Sequence, residues 1–104
     1  MNMEKVNVLI LGSGGREYTL AWKIKQSQFC DTLFIAPGNA GTSDFGVNVD
    51  LNIIDFEVIK ETVLKNNVGL VVVGPEEPLV KGIHDFFIAD PALAKVKFIG
   101  LNSS

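Results

Sequence analysis

Val6-Asn7-Val8-Leu9-Ile10-Leu11-Gly12-Ser13-Gly14-Gly15-Arg16-Glu17 decides the fold. A short apolar run rich in β-branched residues reads as a buried strand. It closes on three glycines, and from Glu17 to about Gln26 the apolar positions Leu20, Ala21 and Ile24 recur at helical spacing. Strand, tight turn and helix are therefore contiguous. The turn brings the unpaired N–H groups of the helix to the end of the strand, where the helix dipole favours an anion. Arg16 adds a planar charged fork suited to phosphate.

Three more runs resemble the first: Thr32–Ala36, Leu70–Val73 and Val96–Ile99, each followed closely by Gly or Pro. A weaker strand is expected at Val47–Leu51. Between them, Asp55 caps a helix whose apolar face is Phe56, Ile59, Val63 and Leu64, with a stop near Asn67 supplied by Gly69. A further helix opens near Pro78 and buries Leu79, Ile83, Phe86 and Phe87 until Asp90-Pro91 breaks it. Strands alternating with helices mean crossover units. The expected fold is α/β: an open, Rossmann-like parallel sheet of about five strands with helices on both faces, spanning residues 1–104 as a single domain.

Composition bounds the function. The chain has 104 residues, 47% of them hydrophobic, with a net charge of −3 and a sequence pI near 5.0. Nine scattered Lys and Arg form no basic run, which argues against nucleic acid as a partner. No apolar stretch approaches the roughly 20 residues of a membrane helix, and no signal peptide is evident. The single cysteine, Cys30, reads as a packing thiol in a reducing compartment, so a cytoplasmic protein is expected. His84 has no second ligand at metal spacing and reads as an ordinary helix residue. Trp22 and Tyr18 read as packing or domain-interface residues.

In open α/β sheets ligands bind beyond the carboxyl ends of the strands, where strand order reverses. For an order of 3-2-1-4-5 the reversal lies between the first strand and Leu70–Val73, so the loops 12–17 and 74–79 meet there. A dinucleotide fingerprint would want Gly or Ala where Glu17 stands and an acid after the second strand, where the chain reads Ala36-Pro37-Gly38-Asn39. NAD or NADP binding is therefore disfavoured. For Glu76 and Glu77 two readings stay open. Both cap the helix that follows, or one carboxylate accepts hydrogen bonds from ribose hydroxyls or a substrate amine, with Glu76 nearer the strand end.

Gly12-Ser13-Gly14-Gly15-Arg16-Glu17, Ala36-Pro37-Gly38-Asn39-Ala40-Gly41-Thr42 and Val73-Gly74-Pro75-Glu76-Glu77-Pro78-Leu79-Val80 together resemble one family. It is the amino-terminal, pre-ATP-grasp domain of phosphoribosylamine–glycine ligase, also called glycinamide ribonucleotide synthetase. The stretch Leu20-Ala21-Trp22-Lys23 resembles the family's first helix. The resemblance implies an ATP-dependent carbon–nitrogen ligase of purine biosynthesis, which joins 5-phosphoribosylamine to glycine through an acyl phosphate. It implies that this domain helps bind the phosphoribosyl substrate, with Gly14, Gly15, Arg16 and Glu17 on its phosphate or ribose side, Glu76 reaching the ribose and Asn39 shaping the mouth. No catalytic residue is carried over to this chain. ATP and Mg²⁺ (or Mn²⁺) are implied to sit mainly in later domains of the same enzyme.

Tyr18 stands where the family commonly has His, so a role for that imidazole does not carry over. The abrupt ending after the last strand reads as one piece of a larger enzyme, inactive alone and exposing an apolar patch where other domains belong. The alternative is a stand-alone, non-catalytic ligand-binding module of the same fold.

Overall fold

Each buried strand divides its side chains between two faces, and that division organises the molecule. The structure, a computed structural model, describes residues 5–12, 15–26, 30–38, 41, 46–74, 78 and 80–100, with residues 15–18 as backbone only. Five strands, β1 (Val6–Gly12), β2 (Cys30–Pro37), β3 (Val47–Asn48), β4 (Val68–Val73) and β5 (Lys97–Gly100), form one parallel sheet in the order β3-β2-β1-β4-β5. The expected order, and with it the reversal between β1 and β4, is found.

Along β1, Val8 and Ile10 point to one face, where they pack with Leu33, Ile35, Val72 and Ala21. Ala21 comes from α1 (Gly15–Lys25), whose Leu20 and Ile24 cover the same cluster. Leu9 and Leu11 point the other way and meet Val71, Val73, Ile59, Val63, Ile83, Phe87 and Leu93. These last five come from α2 (Phe56–Lys65), α3 (Ile83–Ala89) and a 3-10 turn at Pro91–Leu93. Helices thus lie on both faces, as a sheet with both faces apolar requires. Each fully buried aliphatic side chain stabilises by about 1.5–3 kcal/mol, so the central strands carry most of the fold's apolar driving force.

Four local expectations change. Leu64 does not join the apolar face of α2: it is 48% exposed, because Ile59 and Val63 stand four apart on the buried stripe and Leu64 lies about 100° further round. The stop for α2 is Asn67, held at φ 52°, with its N–H bonding Leu64 O; Gly69 lies inside β4. Asn reaches the left-handed region at modest cost, which lets it end a helix where Gly is the usual choice. The helix expected from Pro78 is interrupted. Pro78 and Val80 are helical, but Lys81 and Gly82 turn, with Gly82 at φ 95°, and α3 starts afresh at Ile83. Its far end falls as expected, with Asp90 extended before Pro91. β3, finally, stops at Asn48 rather than Leu51; Leu51 is nevertheless buried.

Cys30 sits at the start of β2, half-buried against the α1-face cluster, and burial raises its thiol pKa above the ordinary value. It behaves as the packing thiol expected. Among the described residues no helix is long and apolar enough to cross a membrane.

Candidate functional site

The carboxyl ends of β1, β2 and β4 are joined by backbone. Gly12 pairs with Pro37 across β1 and β2, and Leu11 with Val73 across β1 and β4. Just beyond, the Gly38 N–H donates to Gly12 O at 3.2 Å and the Gly74 N–H to Leu11 O at 3.1 Å. Three strand ends, from three different parts of the chain, are therefore level and tied to one another. Gly12 stands at φ 143°, a conformation that L side chains rarely adopt, and this re-aims the chain as it leaves β1. Gly74, at the end of β4, is buried.

Three residues after Gly12 the chain is already helical. α1 runs eleven residues from Gly15, and its last turn carries Lys23 and Lys25, which complement the negative end of its dipole. A helix's first turn carries unpaired N–H groups and a partial positive charge, which α1 brings to the carboxyl edge of the sheet. The arrangement can hold an anion, and a phosphate better than a neutral group. Pro78, further along the chain from β4, is helical and buried.

Of the expected site residues, Gly15, Arg16 and Glu17 fall in the first turn of α1, described by backbone alone. Gly14, Asn39 and Glu76 lie outside the described residues. The bond from Gly38 to Gly12 had not been anticipated, although Pro37-Gly38 directly after a strand was its signal. No group of three His, Cys, Asp or Glu side chains converges among the described residues, so they give no basis for seating a metal ion.

A cavity of about 380 Å³ lies at the opposite, amino edge of the sheet, lined by Lys5, Asn7, Asp31, Asn67 and Lys95 among others. Size alone does not make it the site. The carboxyl edge has the strand-order reversal and the helix start, which are the features that bind ligands in such sheets.

Residues 6–103 match the family model described as "Phosphoribosylglycinamide synthetase, N domain". The chain belongs to this family. A phosphoribosylamine–glycine ligase of Rhodopirellula baltica is 58% identical over 83 residues, covering 80% of this chain and 19% of that protein. A second ligase of that name, from Pasteurella multocida, is 46% identical over 86 residues, covering 81% and 20%. The bifunctional purine biosynthetic protein PUR2,5 of Pichia angusta is 46% identical over 89 residues, covering 82% of this chain and 11% of that protein. The chain thus spans about a fifth of the length of the ligases it matches. The family relationship covers the whole of this edge, since the matched stretch includes β1, the start of α1 and the ends of β2 and β4.

Proposed function

We propose that this chain forms the phosphoribosyl-substrate side of an ATP-dependent ligase that joins 5-phosphoribosylamine to glycine in purine biosynthesis. The observation that carries the reading is the strand-order reversal with the start of α1 at its carboxyl edge, in a chain of the phosphoribosylglycinamide synthetase N-domain family. The substrate carries a phosphate, and a helix start suits that group. In this reading Gly14, Gly15, Arg16 and Glu17 line the phosphate or ribose side, Glu76 accepts from the ribose hydroxyls, and Asn39 shapes the entrance. ATP, the Mg²⁺ that accompanies it and the acyl-phosphate chemistry belong to the remainder of a longer polypeptide. A cytoplasmic location follows from that metabolic role.

The test is ATP-dependent ligation by the gene's complete product, with Arg16→Ala beside it. The expected result is activity in the parent, and in the variant a KM for phosphoribosylamine raised about tenfold with the KM for ATP little changed. An equal loss toward both substrates removes Arg16 from the phosphoribosyl side. A complete product with no ligation activity leaves a ligand-binding module of this fold as the better reading.

A further inference from the structure

β5 is the last strand of the sheet, and no described strand pairs its outer edge. Beside it, on the α3 face, a groove of about 310 Å³ is walled by His84, Phe87, Ile88, Leu93, Val96 and Phe98. His84 stacks on Phe98 at 5.2 Å between ring centroids, and Phe87 packs on Phe98 at 5.3 Å, so aromatic rings set the shape of the groove. Its lining contains no carboxylate, ammonium or guanidinium group. Ile88 on its rim is 69% exposed.

The apolar surface continues round the strand. Ile99 pairs with Val72, whose side chain lies on the α1 face, so Ile99 faces that side too, and it is 47% exposed. A groove whose lining offers one imidazole and no ammonium or guanidinium group has little with which to hold a phosphorylated small molecule. Apolar walls beside an open strand edge suit a polypeptide, which can bury the side chains and satisfy the edge.

We infer that this α3–β5 face is an interface with the remaining polypeptide of a longer protein. The length of the relatives favours that occupant: about four fifths of each matched ligase lies outside the region shared with this chain. The inference rests on the reading of this chain as one domain of such a ligase. Its test needs no substrate, so the two can fail separately.

Ile88→Cys and, as a control on an exposed charged position of α2, Glu57→Cys are each made in the gene's complete product. Maleimide labelling at each site is followed by peptide mass spectrometry. The thiol introduced at position 88 is expected to label about tenfold more slowly than the one at 57, because covered positions react only through local opening. Equal rates at 88 and 57 overturn the inference. Protection that disappears on dilution to the monomer, followed by analytical ultracentrifugation, assigns the face to a second copy and also overturns it. A complete product no longer than this chain does the same.

Discussion

The side chain of Asn7, at the start of an otherwise apolar strand, donates from Nδ2 to the carbonyl oxygen of Asn66 at 2.7 Å, where α2 ends. Its Oδ1 accepts from the Thr32 N–H of β2 at 3.1 Å. Both neighbouring strands carry an extra residue at this level. β1 advances from Val6 to Val8 while β2 advances from Cys30 to Leu33, and from Asn7 to Val8 while β4 advances from Val68 to Leu70. Such bulges leave ladder groups without their regular partners, and a carboxamide can accept from one of them while donating to a helix-end carbonyl. One side chain thus ties β1, β2 and the end of α2 together.

Replacing Asn7 with Ala therefore strands a helix-terminal carbonyl and a strand N–H in partly buried surroundings. The expected loss is about 1–3 kcal/mol, measured by urea unfolding. Asn7→Asp keeps the acceptor but turns an oxygen toward the Asn66 carbonyl, so it is expected to be no better than Ala. A wild-type midpoint for either variant would show that water replaces both bonds without loss.

Gly46 passes so close to β2 that a Cβ there would collide with the backbone carbonyl oxygen of Leu33, with Ile35 Cδ1 at 3.1 Å. Neither neighbour yields easily, because Leu33 and Ile35 are both fully buried. Gly46→Ala is expected to destabilise by about 1–3 kcal/mol and to loosen the short β2–β3 pairing. Amide exchange at Val49, whose N–H bonds Ile35 O at 2.8 Å, reports the loosening. Unchanged protection there would mean that the approach is less tight than described.

Because Asn67, not Gly69, holds the left-handed position after α2, substitutions at 67 should follow backbone preference. Asn67→Gly is expected to be neutral or stabilising by up to about 1 kcal/mol, and Asn67→Val destabilising by about 1–2 kcal/mol. Thermal melts of the pair decide it; the reverse order would sink the assignment.

What was legible in the sequence follows from which residues speak locally. Leu9, Ile10 and Leu11 announce a strand buried on both faces, and Ile59 with Val63 announces a helix stripe, because periodicity is a local property. The carboxyl edge was legible as glycines after strands, and Gly12 and Gly38 do stand at positive φ there. Asn7 was not legible. Its partners lie 25 and 59 residues away, and nothing in a polar residue within a strand says which bonds it will find. The break at Lys81-Gly82 was hidden by a run of apolar residues at helical spacing on either side of it. Ile88 stands outside the apolar face expected of that helix, and it is exposed.

Lys60 Nζ and Asp90 Oδ2 lie 2.6 Å apart and fasten α2 to the start of the 3-10 turn. The hydrogen bond from Lys60, helped by that from the Ala92 N–H, holds the Asp90 carboxyl below its ordinary value near 3.8. The same bond raises Lys60 above its ordinary 10.5. A depressed carboxyl pKa stabilises fully above 3.8, and that stability is lost as pH falls through the lower folded value. A raised ammonium pKa stabilises fully below 10.5, and that stability is lost as pH rises through the higher folded value. The pair thus contributes across the neutral range and fades at both extremes. Asp90→Asn keeps the side-chain oxygen that caps Ala92 and removes the charge, so it isolates the ion pair. Both groups are partly open to solvent, so the loss at pH 7 is expected to be small and to shrink further in high salt. The gap between parent and variant should close as pH falls below about 3.8, because the parent's carboxylate is then being neutralised as well. Urea midpoints at pH 7 and pH 3, each at low and high salt, read this directly. A gap that ignores both pH and salt would assign the effect of Asp90 to its cap on Ala92 rather than to its charge.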